Sequence, residues 1–134
     1  MSSRYSQGKY SIQNPDKFVG TQQPFARSSW EMAFMRFCDS HPNITKWASE
    51  NVKIPYRHPF TGKIANYVPD FMVQYQDKTG KTRVDLIEIK PKAQTLQEKA
   101  RDKYDKMSIQ VNAVKWEAAQ AWCKAKGLHF KVIT

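Results

Sequence analysis

The alternation of apolar and polar positions is cleanest in the middle of the chain. Phe71, Val73 and Tyr75 fall on one side of an extended segment, and Asp70, Met72 and Gln74 fall on the other. This period of two predicts a strand within residues 64–76. Asp77-Lys78-Thr79-Gly80-Lys81 has turn composition, so a second strand, about Thr82 to Lys90, returns beside the first as a hairpin. Upstream, the period lengthens: Trp30, Ala33, Phe34 and Phe37 recur at helical spacing behind a Ser28 or Ser29 cap, predicting a helix to about Cys38. A short strand is expected around Val52-Lys53-Ile54. Downstream, Pro91 ends the hairpin, and Thr95 with Glu98 three residues later has the form of a capping box, for a helix running to about Met107. A second helix, about Asn112 to Lys126, carries Val114, Ala118, Ala121, Trp122 and Ala125 at core spacing and stops at Gly127. Leu128 to Thr134 reads as a last strand. The expected fold is α/β: a central mixed sheet of about four strands flanked by helices, in the order αβββααβ.

Residues 1–26 break this patterning. They are polar, rich in Ser, Gln and Gly, and interrupted by Pro15 and Pro24, which predicts an N-terminal arm ahead of one domain over residues 27–134. Tyr5, Tyr10 and Phe18 alternate there with Arg4, Lys9 and Lys17, a mixture suited to stacking and phosphate contact. An extension packed over the domain fits the same residues.

Charge narrows the partner. Lys and Arg number 22 against 12 Asp and Glu, a net charge of +10, which points to an anionic partner and most economically to nucleic acid. No basic helix has a broad apolar face for a lipid surface, and no apolar run has signal or membrane-spanning length, so no membrane partner is expected. Cys38 and Cys123 are far apart and outside any C-x-x-C pair, which predicts core packing in a reducing, cytosolic setting. His41, His58 and His129 lack ligand-like spacing.

The second hairpin strand holds the chemistry. Its alternation turns Ile87 and Ile89 to one face and Glu88 and Lys90 to the other, and the hairpin brings Asp70 alongside. A structural ion pair between Glu88 and Lys90 explains two of these three residues. Asp70 adds a second acid, and two neighbouring carboxylates repel unless a proton or cation intervenes. Hard oxygen donors suit Mg²⁺, with Mn²⁺ able to replace it, and such an ion activates water for phosphodiester hydrolysis. Lys90 can then orient the water or stabilise charge on the phosphate.

Pro69-Asp70 followed by Glu88-x-Lys90 resembles the PD-(D/E)XK nuclease signature, on a topology similar to that superfamily's restriction-endonuclease-like core. Longer strings, Arg27-Ser28-Ser29-Trp30-Glu31, Trp47-Ala48-Ser49-Glu50, Tyr67-Val68-Pro69-Asp70-Phe71 and Glu88-Ile89-Lys90-Pro91-Lys92, together with Gln94-Thr95 and Lys115-Trp116, resemble the head completion proteins of contractile-tailed bacteriophages. Those proteins are similar to TnsA-type transposon endonucleases. The resemblance implies catalytic Asp70, Glu88 and Lys90, metal ligation by Asp70, Glu88 and the Ile89 carbonyl, and an additional acid at Glu31. Glu31 is equally explained as a helix N-terminal acid favoured by the dipole. Gln94, Lys92, Lys115 and Arg27 are the candidate DNA contacts.

The implied activity is a divalent-metal-dependent DNA endonuclease that processes the packaged end, or branched and overhanging DNA, during phage head completion. Portal or neck proteins are the implied partners, in the host cytoplasm and in the virion head. A non-catalytic head protein capping the portal or DNA terminus is the alternative, as is a TnsA-like subunit that works only with a partner recombinase. Lys90 favours catalysis over an inert metal brace. The helix face carrying Lys99, Arg101, Lys103 and Lys106 is interleaved with Glu98, Asp102 and Asp105, the pattern of a solvated surface.

Overall fold

The computed structural model describes residues 8–90 and 103–134. The expected helix is present as α1, Ser29–Ser40, with Ser28 as its N-cap: the Ser28 Oγ accepts from the Glu31 N–H at 3.2 Å. Its buried positions are Met35, Cys38 and Asp39, whereas Trp30 and Phe37 are half exposed. Trp30 and Phe37 thus lie at the border of the buried face, while Phe34, its ring centroid 4.9 Å from that of Phe71, packs on the sheet with Met35 and Cys38.

The chain then forms β3, Ile44–Ser49; β4, Ile54–Arg57; β5, Ile64–Tyr67; β6, Phe71–Gln76; and β7, Thr82–Ile89. Two short strands, β1 (Gly8–Lys9) and β2 (Phe25–Ala26), pair ahead of α1. The central sheet has the order β3-β6-β7-β8, where β8 is His129–Ile133. Its first three strands are antiparallel and β7–β8 is parallel. This is the mixed four-stranded sheet expected, with one strand reassigned. The edge strand is Ile44–Ser49, and a register shift between Ile44 and Lys46 disrupts the alternation that would have marked it. Residues 52–54 instead lead into β4, which pairs with β5 in a separate ribbon. Residues 64–76 are two strands because Pro69, which has no N–H for a ladder, lies where the chain leaves the ribbon for the sheet.

One helix, α2, runs unbroken over Lys103–Lys126, where two were expected. No Gly or Pro interrupts residues 103–126. The expected capping box at Thr95 and Glu98 lies outside the described residues. At the other end, Gly127 adopts φ 74°, Leu128 N–H donates to the Cys123 carbonyl at 2.8 Å, and Gly127 N–H donates to that of Lys124 at 3.3 Å. This paired arrangement turns the chain directly into β8.

Alternation along the strands divides the core. Trp47, Phe71, Val73, Ile87 and Ile89 face α1, while Leu86 packs with Ile54, Tyr56, Tyr67, Ala119 and Cys123 beneath α2. Residues 85–89 are all buried, because both sides of β7 are covered.

Residues 8–26 do not extend away as an arm. They pack over the domain, the arrangement left open as the second reading. Tyr10 OH donates to Asp39 Oδ2 at 2.6 Å, and the N–H groups of Gln13 and Asn14 donate to the same carboxylate at 2.7 and 3.0 Å. Phe18 lies 4.8 Å from the Trp47 ring, and Val19 N–H and Lys17 carbonyl bond the backbone of Trp47, closing the outer edge of β3. Burial alone would raise the Asp39 pKa, but the hydrogen bonds from Tyr10, Gln13 and Asn14 outweigh it and hold the carboxyl below its ordinary value. Asp39 therefore contributes stability that is present above its unfolded value of about 4 and is lost as pH falls through the lower folded value. Tyr10→Phe is expected to lower unfolding free energy by about 1 kcal/mol at pH 7. Denaturant titrations at pH 7 and pH 3 should show that deficit shrinking at the lower pH.

Candidate active site

The register that pairs Phe71 with Ile87 places Asp70 level with Glu88, one step further along both strands. Asp70 is fixed at both its main chain and its side chain. Its carbonyl accepts from Glu50 N–H at 3.0 Å, and its Oδ2 accepts from Ile89 N–H at 2.8 Å. Glu88 is 6% exposed. Its Oε1 accepts from Tyr67 OH at 2.7 Å, and its Oε2 lies 3.5 Å from Lys90 Nζ. The Lys90 N–H donates to the Ile133 carbonyl at 2.9 Å, so β8 holds the backbone of β7 while the lysine head reaches the carboxylate. Asp70, Glu88 and Lys90 are thus brought together as the sequence predicts.

Electrostatics mark Asp70 as the strained member. Burial, and then the nearby Glu88 charge, push its carboxyl up to about 7, against the lowering effect of the Ile89 N–H; Glu31 adds to the rise and Lys90 opposes it. The ammonium in ion-pair contact with these acids is that of Lys90, 3.5 Å from Glu88 Oε2. A hard divalent cation fits that donor set: two carboxylates, with the Ile89 carbonyl, water and phosphate as the remaining oxygen sources. Among the described residues no group of three or more His, Cys, Asp and Glu side chains converges at metal-binding range. Glu31 is a third acid whose charge reaches Asp70 and Glu88.

Glu31 nevertheless faces this region. Its Oε1 accepts from Arg27 N–H at 3.1 Å. Its pKa is raised chiefly by burial and also by Glu50 and Glu88, while Arg27 opposes the rise. Arg27 forms an ion pair with Glu50. Arg27, a candidate DNA contact, thus connects two acids at the rim of the site. Glu50 has φ 50°, in the left-handed region that non-glycine residues occupy at a cost of about 1 kcal/mol or more. In that conformation its N–H meets the Asp70 carbonyl while its side chain meets Arg27.

On the α2 side, Lys115 Nζ sits 5.8 Å from the Tyr67 ring centroid and 5.9 Å from that of Tyr56. Burial, with Lys90 nearby, pulls its pKa down, and Glu88 counters this. Lys115, a candidate DNA contact, thus lies near Glu88 and Lys90. Lys92 and Gln94 lie outside the described residues. Two participants were missed: Tyr67, which orients Glu88, and Glu50, which braces Asp70 and Arg27. Both occur in the quoted motif strings, but only tertiary pairing reveals what each one bonds.

Residues 41–134, which include Asp70, Glu88, Lys90 and Lys115, match the TnsA-like endonuclease N-terminal family. The chain is also 32% identical over 138 aligned residues to the head completion nuclease of Enterobacteria phage T4, spanning 95% of this chain and 89% of that protein. A mixed sheet bearing paired carboxylates and a lysine on adjacent strands agrees with both similarities, and the chain belongs to the TnsA-like endonuclease family.

Proposed function

We propose that this nuclease hydrolyses DNA phosphodiester bonds using Mg²⁺, or Mn²⁺ in its place, held by Asp70, Glu88 and the Ile89 carbonyl. The observation that carries this reading is the Asp70–Glu88 pair, closed against Ile89 N–H and Tyr67 OH and flanked by Lys90. A divalent ion in this position supplies Lewis-acid polarisation of phosphate and lowers the pKa of water. Tyr67 keeps Glu88 in one rotamer. In this reading Lys90 orients the attacking water or stabilises charge on the phosphoryl oxygens. Lys115 adds a second cation from α2 for a neighbouring phosphate. The net charge of +10 supports DNA as the polymer held here.

The similarity to a phage head completion nuclease supports a biological role in processing the packaged DNA end, or branched and overhanging DNA, before a neck or tail joins. Portal or neck proteins are the corresponding partners, with action in the host cytoplasm and in the virion head. Lys92, Gln94 and Arg27 are proposed to contact DNA around the site.

The direct test incubates the purified chain with linear, overhanging and branched DNA, with Mg²⁺ or EDTA. Divalent-dependent cleavage is expected, falling at least about 100-fold in Asp70→Ala and Lys90→Ala. Both variants should retain DNA binding in a mobility assay. Absence of cleavage on every substrate, with head completion unchanged by the two variants, would overturn the catalytic reading in favour of a structural head protein.

Asp70 gives a second test that needs no substrate. Its folded pKa of about 7 lies above the unfolded carboxylate value, so its contribution to folding is lost as pH rises through the folded value. Without metal, Asp70→Asn is expected to gain stability over wild type, by about 1–2 kcal/mol more at pH 8 than at pH 5. Thermal unfolding in EDTA at the two pH values measures this, and Mg²⁺ should raise the wild-type midpoint while leaving the variant nearly unmoved.

A further inference from the structure

The β4–β5 ribbon has two unlike faces. Inward, Ile54, Tyr56 and Tyr67 are buried beneath α2. Outward, Pro55 and Arg57 on β4 lie across from Asn66 and Ile64 on β5, and all four are exposed, Ile64 by 62%. Residues 58–63 join the strands and hold Phe60 at the tip, 47% exposed. Hydrogen bonds, not burial, fix this loop. His58 N–H donates to the Lys63 carbonyl and Gly62 N–H to the His58 carbonyl, each at 2.9 Å. The N–H groups of Phe60 and Thr61 donate to His58 Nδ1 at 3.2 and 3.3 Å, and Arg57 Nη1 donates to the Gly62 carbonyl at 2.6 Å. Gly62 has φ 72°, the left-handed conformation that lets the loop close this tightly. The phenyl ring is therefore presented to solvent on a preorganised support.

Local charge identifies the partner. Residues 51–69 contain Lys53, Arg57 and Lys63 and no Asp or Glu. All three cations are exposed, and none is in an ion pair among the described residues. The centre of a protein–protein interface is depleted of charge. Here Arg57 instead lies across the ribbon from Ile64, and Lys63 falls between Phe60 and Ile64 in sequence. Cations interleaved with an aromatic ring suit a nucleic-acid strand, whose phosphates meet the cations while a base meets the ring. Two copies of the chain joined symmetrically by this surface would oppose like charges.

The ribbon is continuous with the active site. Tyr67 at its base bonds Glu88, and Asp70 follows three residues later. Aromatic rings lead outward from Lys115: its Nζ is 5.9 Å from the Tyr56 ring, which lies 6.4 Å from His58, which lies 6.0 Å from Phe60. From Tyr67 to Ile64 the strand covers about 10 Å, at about 3.4 Å per residue. A stacked strand advances about 3.4 Å per nucleotide, so the tip reaches a base about three to five nucleotides from a phosphate held at Asp70 and Glu88. Wedging a ring into intact duplex costs a few kcal/mol of unstacking, whereas an unpaired base offers its face without that cost. We propose that the β4–β5 ribbon is a DNA-binding element that selects unpaired ends and branches. Lys53, Arg57 and Lys63 contact phosphates, and Phe60 stacks on an unpaired base. This inference rests on the reading of the Asp70–Glu88 site as a DNA nuclease and names the DNA structure that it selects.

The test measures DNA binding by the full chain in EDTA, where no cleavage is needed for a readout. The probes are a blunt duplex, the same duplex with a single-stranded overhang of about five nucleotides, and a fork with arms of that length. Wild type is expected to prefer the overhang and the fork to the blunt duplex. Phe60→Ala and Phe60→Leu should each reduce that preference at least about fivefold, and Phe60→Trp should retain it. Leucine keeps apolar bulk without an aromatic face, so a preference preserved in Phe60→Leu would overturn stacking. Lys53→Gln combined with Lys63→Gln should flatten the slope of log affinity for the overhang against log salt by about 1.4, and an unchanged slope overturns the phosphate contacts. Self-association that is lost in Phe60→Ala on sedimentation, with DNA preference unaltered, would assign the ribbon to a second copy. A preference that depends on Phe60 without any Mg²⁺-dependent cleavage supports the ribbon and counts against the catalytic reading alone. Cleavage by wild type with equal preference in Phe60→Ala overturns the ribbon alone.

Discussion

The register between β6 and β7 is the constraint on which the site depends. A slip of one residue would reverse the faces of Ile87 and Glu88 relative to the strand's neighbours, placing an acid against α1 and an isoleucine beside Tyr67. The same slip would carry Asp70 away from the Ile89 N–H that it accepts from. Packing and chemistry are therefore specified by one alignment. The buried isoleucines that hold β7 in place also fix the positions of the two carboxylates.

The elements around this hairpin each supply one support. β8 bonds the Lys90 backbone, Tyr67 from the ribbon orients Glu88, and Glu50 at the end of β3 holds the Asp70 carbonyl. Asp39, a buried aspartate outside the site, behaves in the opposite way to Asp70. Its oxygens receive three hydrogen bonds and its carboxyl is held low, while Asp70 has one N–H and a neighbouring acid and is pushed up. Burial is common to both. The donors aimed at the oxygens, and the absence or presence of a neighbouring acid, separate the Asp39 clamp from the strained Asp70–Glu88 pair.

The parts of this arrangement legible in the sequence are those encoded locally. Period-two alternation and the Asp77–Lys81 turn disclosed the hairpin and hence the grouping of Asp70, Glu88 and Lys90, and Ser28 and Gly127 marked helix ends that the structure retains. The edge strand β3 was obscured because a bulge beside Lys46 breaks its period. The buried face of α1 was legible only in part: Phe34 packs on Phe71, but Trp30 and Phe37 stay half exposed and Met35 and Cys38 take the fully buried positions. Nothing local to Asp39 announces that Tyr10, Gln13 and Asn14 return from more than twenty residues away to bond it. Tyr67 and Glu50 were hidden for the same reason: their roles are defined by partners across the sheet.

The parallel pairing of β7 with β8 has a consequence for how the protein comes into being. The β6–β7 hairpin closes over a five-residue turn, but β8 joins only after α2 has been traversed, a loop of about forty residues. During synthesis the two carboxylates can meet before the strand that anchors Lys90 and the helix that carries Lys115 have emerged. A chain truncated ahead of α2 would thus retain the acidic pair while lacking the cation from that helix. Completion of the polypeptide is a built-in condition for completing the site.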